Sequence, residues 1–106
     1  MQLYNNLSAK ERAELIEKAG KERLTISFYK YAKIRNTQIF RNHLFISWDE
    51  LDVLGRIYVA VEGINAQLSV PAENFDAFKT HLDSISFLEN VRLNIAIEHN
   101  NFAFLK

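Results

Sequence analysis

The stretch GRIYVAVEGINAQLSV, Gly55 to Val70, decides the fold. Ile57, Val59 and Val61 alternate with Arg56, Tyr58 and Ala60. After Glu62-Gly63 the apolar series resumes at Ile64, Ala66, Leu68 and Val70, against Asn65, Gln67 and Ser69. A period of two sends successive side chains to opposite faces, so each half reads as a strand with one face towards a core. Glu62 and Gly63 mark the turn between them, with Glu62 as a cap and Gly63 free to take positive φ. The segment is predicted to be a β-hairpin.

Upstream of the hairpin, Asn36 and Thr37 can cap a helix in which Phe40, Leu44, Ser47, Trp48 and Leu51 form a mostly apolar stripe. Before it, Leu24, Ile26 and Phe28 alternate with Thr25, Ser27 and Tyr29 in the manner of a half-buried strand. At the start of the chain, Ser8 and Glu11 have capping-box spacing and Gly20 stands where a helix would stop, which predicts a helix over 9–19. Downstream, Pro71 suits a helix start, and Phe75, Phe78, Leu82 and Ile85 follow at helical spacing. Val91, Leu93, Ile95 and Ile97 then mark a strand, and Phe102 to Leu105 reads as an edge strand.

These elements predict one α+β domain over 1–106: a leading helical segment at 1–22, a βαββαβ core at 23–98, and an edge strand within 99–106 that is expected to continue in a longer protein. The order βαββαβ is that of ferredoxin-like domains, an antiparallel sheet covered by helices on one face. The uncovered face would then show Thr25, Ser27, Tyr29, Arg56, Tyr58, Asn65, Gln67, Ser69, Arg92 and Asn94.

Composition narrows the chemistry. With 106 residues the chain can bury one core. Cysteine is absent, which removes disulfides, thiolate nucleophiles and cysteine-held metals. His43, His81 and His99 show no metal-ligand spacing and pair with no nucleophilic serine, and no phosphate-binding glycine loop is present, so neither a metal nor a cofactor is expected. The carboxylates Asp49, Glu50 and Asp52 lie at a helix end and read as solvated. No apolar run approaches the ~20 residues of a membrane span and no signal-peptide core is seen, which predicts a soluble, cytoplasmic protein without membrane contact.

The net charge is zero, but its distribution is uneven. Lys30, Lys33, Arg35 and Arg41 lie between Phe28 and Trp48 with no carboxylate among them. Tyr29, Lys30, Tyr31, Lys33 and Arg35, with Arg56 and Tyr58 on the neighbouring hairpin, combine cations for phosphates with aromatic faces for unpaired bases. The RNA-reading signature of RRM domains is missing. A small hydrolase of the acylphosphatase kind would need a glycine in the loop Lys30 to Arg35 so that amides could converge on a phosphate, and there is none.

The run LGRIYVAVEGINAQLSVPAENF (Leu54 to Phe75), with TISFYKY (Thr25 to Tyr31) and LNIAIE (Leu93 to Glu98), closely resembles the N-terminal domain of bacterial rhodanese-related tRNA uridine 5-hydroxylases. Tyr29, Lys30, Tyr31, Arg56, Glu62, Asn65 and Gln67 match that family's motif positions. The resemblance implies a domain that binds or positions tRNA for wobble-uridine hydroxylation, in cis with a rhodanese domain whose cysteine has no counterpart in this sequence. It implies no catalytic residue here. The candidate RNA-binding set is Tyr29, Lys30, Tyr31, Lys33, Arg35, Arg56, Tyr58, Asn65 and Gln67. Two other readings stand beside it: a protein-interaction domain whose sheet packs on the rhodanese domain, and an acylphosphatase-like hydrolase.

Overall fold

The computed structural model describes residues 2–4 and 7–98. In chain order the elements are β1 (Gln2–Tyr4), α1 (Ala9–Ala19), β2 (Arg23–Tyr31), α2 (Thr37–Asp49), β3 (Leu54–Ala60), β4 (Gly63–Pro71), α3 (Phe75–Ser84) and β5 (Leu93–Glu98). The sheet is antiparallel in the order β1-β5-β2-β4-β3. Its last four strands, with α2 and α3 as crossovers, are the ferredoxin-like core expected from the element order.

Local chemistry explains the elements. The Ser8 hydroxyl accepts from the Glu11 amide while the Glu11 carboxylate accepts from the Ser8 amide, a closed capping box at α1. Asn36 Oδ1 accepts from the Ile39 amide at the start of α2. Leu24, Ile26 and Phe28 of β2, Ile64, Ala66, Leu68 and Val70 of β4, and Leu93 and Ile95 of β5 all point into one core. Leu44 and Trp48 of α2 and Phe75, Phe78 and Leu82 of α3 close it from the other side. The helices therefore cover one face only.

Several expectations need correction. The leading segment is not wholly helical: it opens with β1, which pairs with β5 at the edge of the described sheet. The hairpin turn is Val61-Glu62, since Ala60 pairs directly with Gly63. Val61, expected inward, is consequently 58% exposed. Pro71 ends β4 rather than opening α3, and a short 3₁₀ turn over Ala72–Asn74 comes between. Val91 is buried but precedes β5, which begins at Leu93. The strand expected at Phe102 to Leu105 lies outside the described residues.

Ser69 is the expected open-face residue that is not open: it is 1% exposed. Arg23 lies across it, donating from Nε to Ser69 Oγ (2.7 Å) and from Nη2 to the Ser69 carbonyl (2.9 Å). The same guanidinium donates to the Asp52 carbonyl (2.6 Å). One side chain thus ties β2, β4 and the α2–β3 connection together.

Candidate nucleic-acid interface

The register sets the open face in rows. Tyr58 of β3 pairs with Asn65 of β4, which pairs with Tyr29 of β2, so Asn65 stands between two tyrosines. One row on, Arg56, Gln67, Ser27 and Asn94 run across all four core strands. In the other direction Ala60, Gly63 and Tyr31 form a row with two small members. Tyr29, Tyr31 and Tyr58 are 66%, 79% and 61% exposed, which rules out core packing for any of them.

Two grooves lie on either side of the Tyr29–Tyr31 ridge. The first, about 420 Å³, is lined by Tyr29, Tyr31 and Tyr58 together with Glu62, Gly63 and Asn65. The second, about 470 Å³, is lined by the same ridge together with Asn90, Arg92 and Asn94. The Tyr29 and Tyr31 rings meet edge to face at 5.9 Å and 69°, so the ridge is braced by its own aromatic contact.

Gly63 is required here for closeness rather than for the turn. At φ 156° it lies against β2, and a Cβ on it would overlap the Lys30 carbonyl oxygen. The loop after β2 is held as well. Ala32 donates its amide to the Glu62 carbonyl (3.0 Å), Ile34 donates to the Val61 carbonyl (2.8 Å), and the Ile34 side chain is buried. Lys33 and Arg35, both exposed, flank Ile34 on a loop bonded to the hairpin turn, but neither lines the groove. The same two bonds occupy the Ala32 and Ile34 amides, so neither is free to converge on a phosphate.

The expected constellation is thus assembled in part. Tyr29, Tyr31, Tyr58 and Asn65 share one groove with Glu62 and Gly63. Arg56 and Gln67 are exposed in the adjacent row. Lys30 departs from the set: strand alternation sends it to the side of Phe28, opposite Tyr29 and Tyr31, and it reaches the groove only at the rim. Asn90, Arg92 and Asn94 were not in the candidate set. The alternation of Arg92 and Asn94 with Leu93 and Ile95 places both on the open face, and that was the available signal. Asn90, at φ 58° outside any strand, gave none.

The helix side brings together residues far apart in sequence. Nε2 of His81 is 3.1 Å from Nε2 of His43, and His81 Nδ1 accepts the Trp48 indole proton at 2.9 Å. Burial, and secondarily His43, lower the His81 pKa below its usual 6.5. With Nδ1 occupied as an acceptor, the neutral ring keeps its proton on Nε2, the nitrogen a metal would have to use. No group of three or more metal-ligating side chains occurs among the described residues, and no described helix is long and apolar enough to cross a membrane.

Fold and face together define the class: a ferredoxin-like α+β domain with an open, tyrosine-lined sheet face and a rim of cations. Residues 23–106 match the family described as the UPF0176 acylphosphatase like domain, and the chain belongs to that family, the N-terminal domain of longer proteins. It is 43% identical over 104 residues to a protein of Leptospira interrogans and 46% identical over 103 residues to one of Photorhabdus laumondii, both named tRNA uridine(34) hydroxylase. A Hamiltonella defensa protein of the same name is 42% identical over 103 residues. These matches take in 96–98% of this chain but only 28–29% of the relatives' length.

Proposed function

We propose that this domain recognises tRNA for a longer, uridine-hydroxylating protein, with its open sheet face as the RNA surface and a rhodanese-type domain in cis performing the chemistry in the cytoplasm. The observation that supports this best is the groove in which Asn65 stands between exposed Tyr29 and Tyr58. Exposed aromatics beside polar groups provide stacking surface for unpaired bases, while Lys33, Arg35, Arg56 and Arg92 provide phosphate contacts around it. The names of the relatives point to the same substrate class.

Contact with a second domain is better supported on the opposite side. Ile39, Phe45 and Ile46 of α2 are each more than 60% exposed on the helix layer. An apolar helix face suits protein contact better than the polar sheet does, so docking there would leave the tyrosines free for RNA.

Titration of the purified chain with tRNA at low and high salt tests the proposal. Binding that weakens steeply with salt is expected. No binding at low salt would remove the RNA role.

A further inference from the structure

We propose that a second copy of this chain docks along the outer edge of β3, strand against antiparallel strand about a two-fold axis at Ile57. Two sheets then join into one, with both tyrosine faces on the same side. The inference concerns self-association and does not depend on RNA binding.

β3 ends the sheet, and among the described residues no strand pairs with its outer side. Its unpaired groups follow from the register. The two-residue turn makes Ala60 and Gly63 a hydrogen-bonded pair, and such pairs alternate with non-bonded ones along an antiparallel ladder. Leu54, Arg56, Tyr58 and Ala60 therefore direct their N–H and C=O groups to β4, while Gly55, Ile57 and Val59 direct theirs outward. Folded proteins commonly protect such an edge with a proline, a lysine, a bulge or a very short strand. β3 has none of these: it runs LGRIYVA over seven residues, and its register against β4 is unbroken from Leu54 to Ala60. Leu54 at its start and Val61 just past its end are exposed apolar residues.

The edge is complementary to itself. An axis at Ile57, the middle residue of β3, overlaps the whole strand with its copy and sets Ile57 against Ile57 and Gly55 against Val59, each facing pair exchanging two hydrogen bonds. On the open face the closer, non-bonded pairs place Arg56 opposite Tyr58 of the second copy, twice, a cation beside an aromatic ring. Other registers lose this match. An axis at Arg56 would oppose two arginines, and an axis at Tyr58 would carry Leu54 and Gly55 past the end of the partner strand. An unrelated peptide would supply the backbone bonds without the Arg56–Tyr58 pairs, which favours a second copy as the occupant. The formal net charge is zero, so two copies meet without long-range repulsion. A single strand pair is a small interface, so the dimer is expected to be weak, with a Kd of about 1 μM or above.

Sedimentation equilibrium of the whole chain should show the mass rising from 12.3 kDa towards twice that value as the concentration is raised to about 1 mM. Val59→Pro removes one outward donor from each copy and no bond to β4, so it should weaken association by about fivefold or more. Arg56→Ala, at an exposed position, should weaken it by a similar factor, and it decides alone if circular dichroism shows that the proline variant does not fold. The chain has no cysteine, so Thr25→Cys can carry a single spin label. Thr25 pairs with Ser69, and Ser69 with Leu54, three residues from the axis. Five inter-strand spacings of about 4.8 Å and six residues of about 3.4 Å set the labelled backbones about 30 Å apart in the dimer. A chain that stays monomeric at about 1 mM overturns the proposal. A label distance that differs by more than about 10 Å does the same. So does a dimer whose strength no folded variant changes, because the contact would then lie elsewhere, as on the exposed residues of α2.

Discussion

The Trp48 indole N–H donates to His81 Nδ1 at 2.9 Å, which fixes His81 as a neutral ring in the folded protein. Burial first, and His43 second, hold its pKa below the usual 6.5. The unfolded chain takes up that proton near the usual value, whereas the folded chain resists until a lower pH. Stability is therefore unaffected by this group above about pH 6.5 and falls as pH drops from there to the folded pKa. Urea midpoints, followed by Trp48 fluorescence at about pH 7.5 and about pH 5.5, should show the loss. His81→Phe, which has nothing to titrate, should reduce it. A midpoint that is equal at both pH values would contradict the assignment.

Gly63→Ala should destabilise the fold by about 1–3 kcal/mol, because φ is 156° and the new methyl would overlap the Lys30 carbonyl oxygen. For a domain of this size that is a fall in melting temperature of several degrees or more, roughly 4–8 °C per kcal/mol. Calorimetry is the check. An unchanged melting temperature would mean that β2 and β4 are farther apart here than described.

Arg23→Ala should cost about 1–3 kcal/mol, mostly through the lost bonds to buried Ser69. Asp52→Asn, which keeps a residue type suited to the left-handed backbone at φ 58°, should cost much less. Its carboxylate is largely exposed and its charge contact with Arg23 is long at 3.3 Å, while the carbonyl that Arg23 also uses is retained. Denaturant midpoints of the two variants should fall in that order.

Arg23 also shows where the sequence was legible and where it was not. Period-two runs such as Leu24, Ile26 and Phe28 announced their strands because burial on one face imposes the alternation. The same rule placed Ser69 on the open side, and it failed because an arginine at the mouth of the neighbouring strand covers it, a contact 46 residues away in sequence. The two-residue turn was misplaced by one position because Gly63 looked like a turn glycine. Its constraint is the proximity of Lys30 on another strand. Of the site, Tyr29, Tyr58 and Asn65 could be read from alternation, but that they share one row depends on register, and so do the positions of Arg92 and Asn94. The meeting of His43 and His81 depends on helix packing, and no spacing in the sequence encodes it.

Lys79 is 3% exposed and its ammonium lies 2.6 Å from Asp83 Oδ1, the same oxygen that accepts the Asn90 amide. Asp83→Ala leaves a buried cation without that partner and also frees the Asn90 turn. Lys79→Met removes the cation and keeps the turn bond. Removing one member of a buried pair costs about 3–5 kcal/mol when a charge is left behind, and much less when an apolar group takes the space. Discounted because Asp83 is about one-third exposed, Asp83→Ala should still be the more harmful, by about 1 kcal/mol or more. Equal midpoints for the two would show that Lys79 reaches water in solution.

The division of labour on the open face predicts two separable kinds of RNA-binding defect. Arg56 and Arg92 are exposed at the rim, so each should take one phosphate and release its counterions. Plots of log affinity against log salt for tRNA should then become shallower by about 1.4 in the double variant Arg56→Ala/Arg92→Ala, at about 0.7 per phosphate for single-stranded contacts. Tyr58→Ala removes stacking area and no charge. It should lower affinity by an amount equivalent to about 1–3 kcal/mol at every salt concentration and leave the slope unchanged. All three positions are surface residues, so circular dichroism should show an intact fold in both variants. A change of slope in Tyr58→Ala, or none in the arginine double variant, would mean that the backbone path does not follow the rim and that phosphates, rather than bases, occupy the groove.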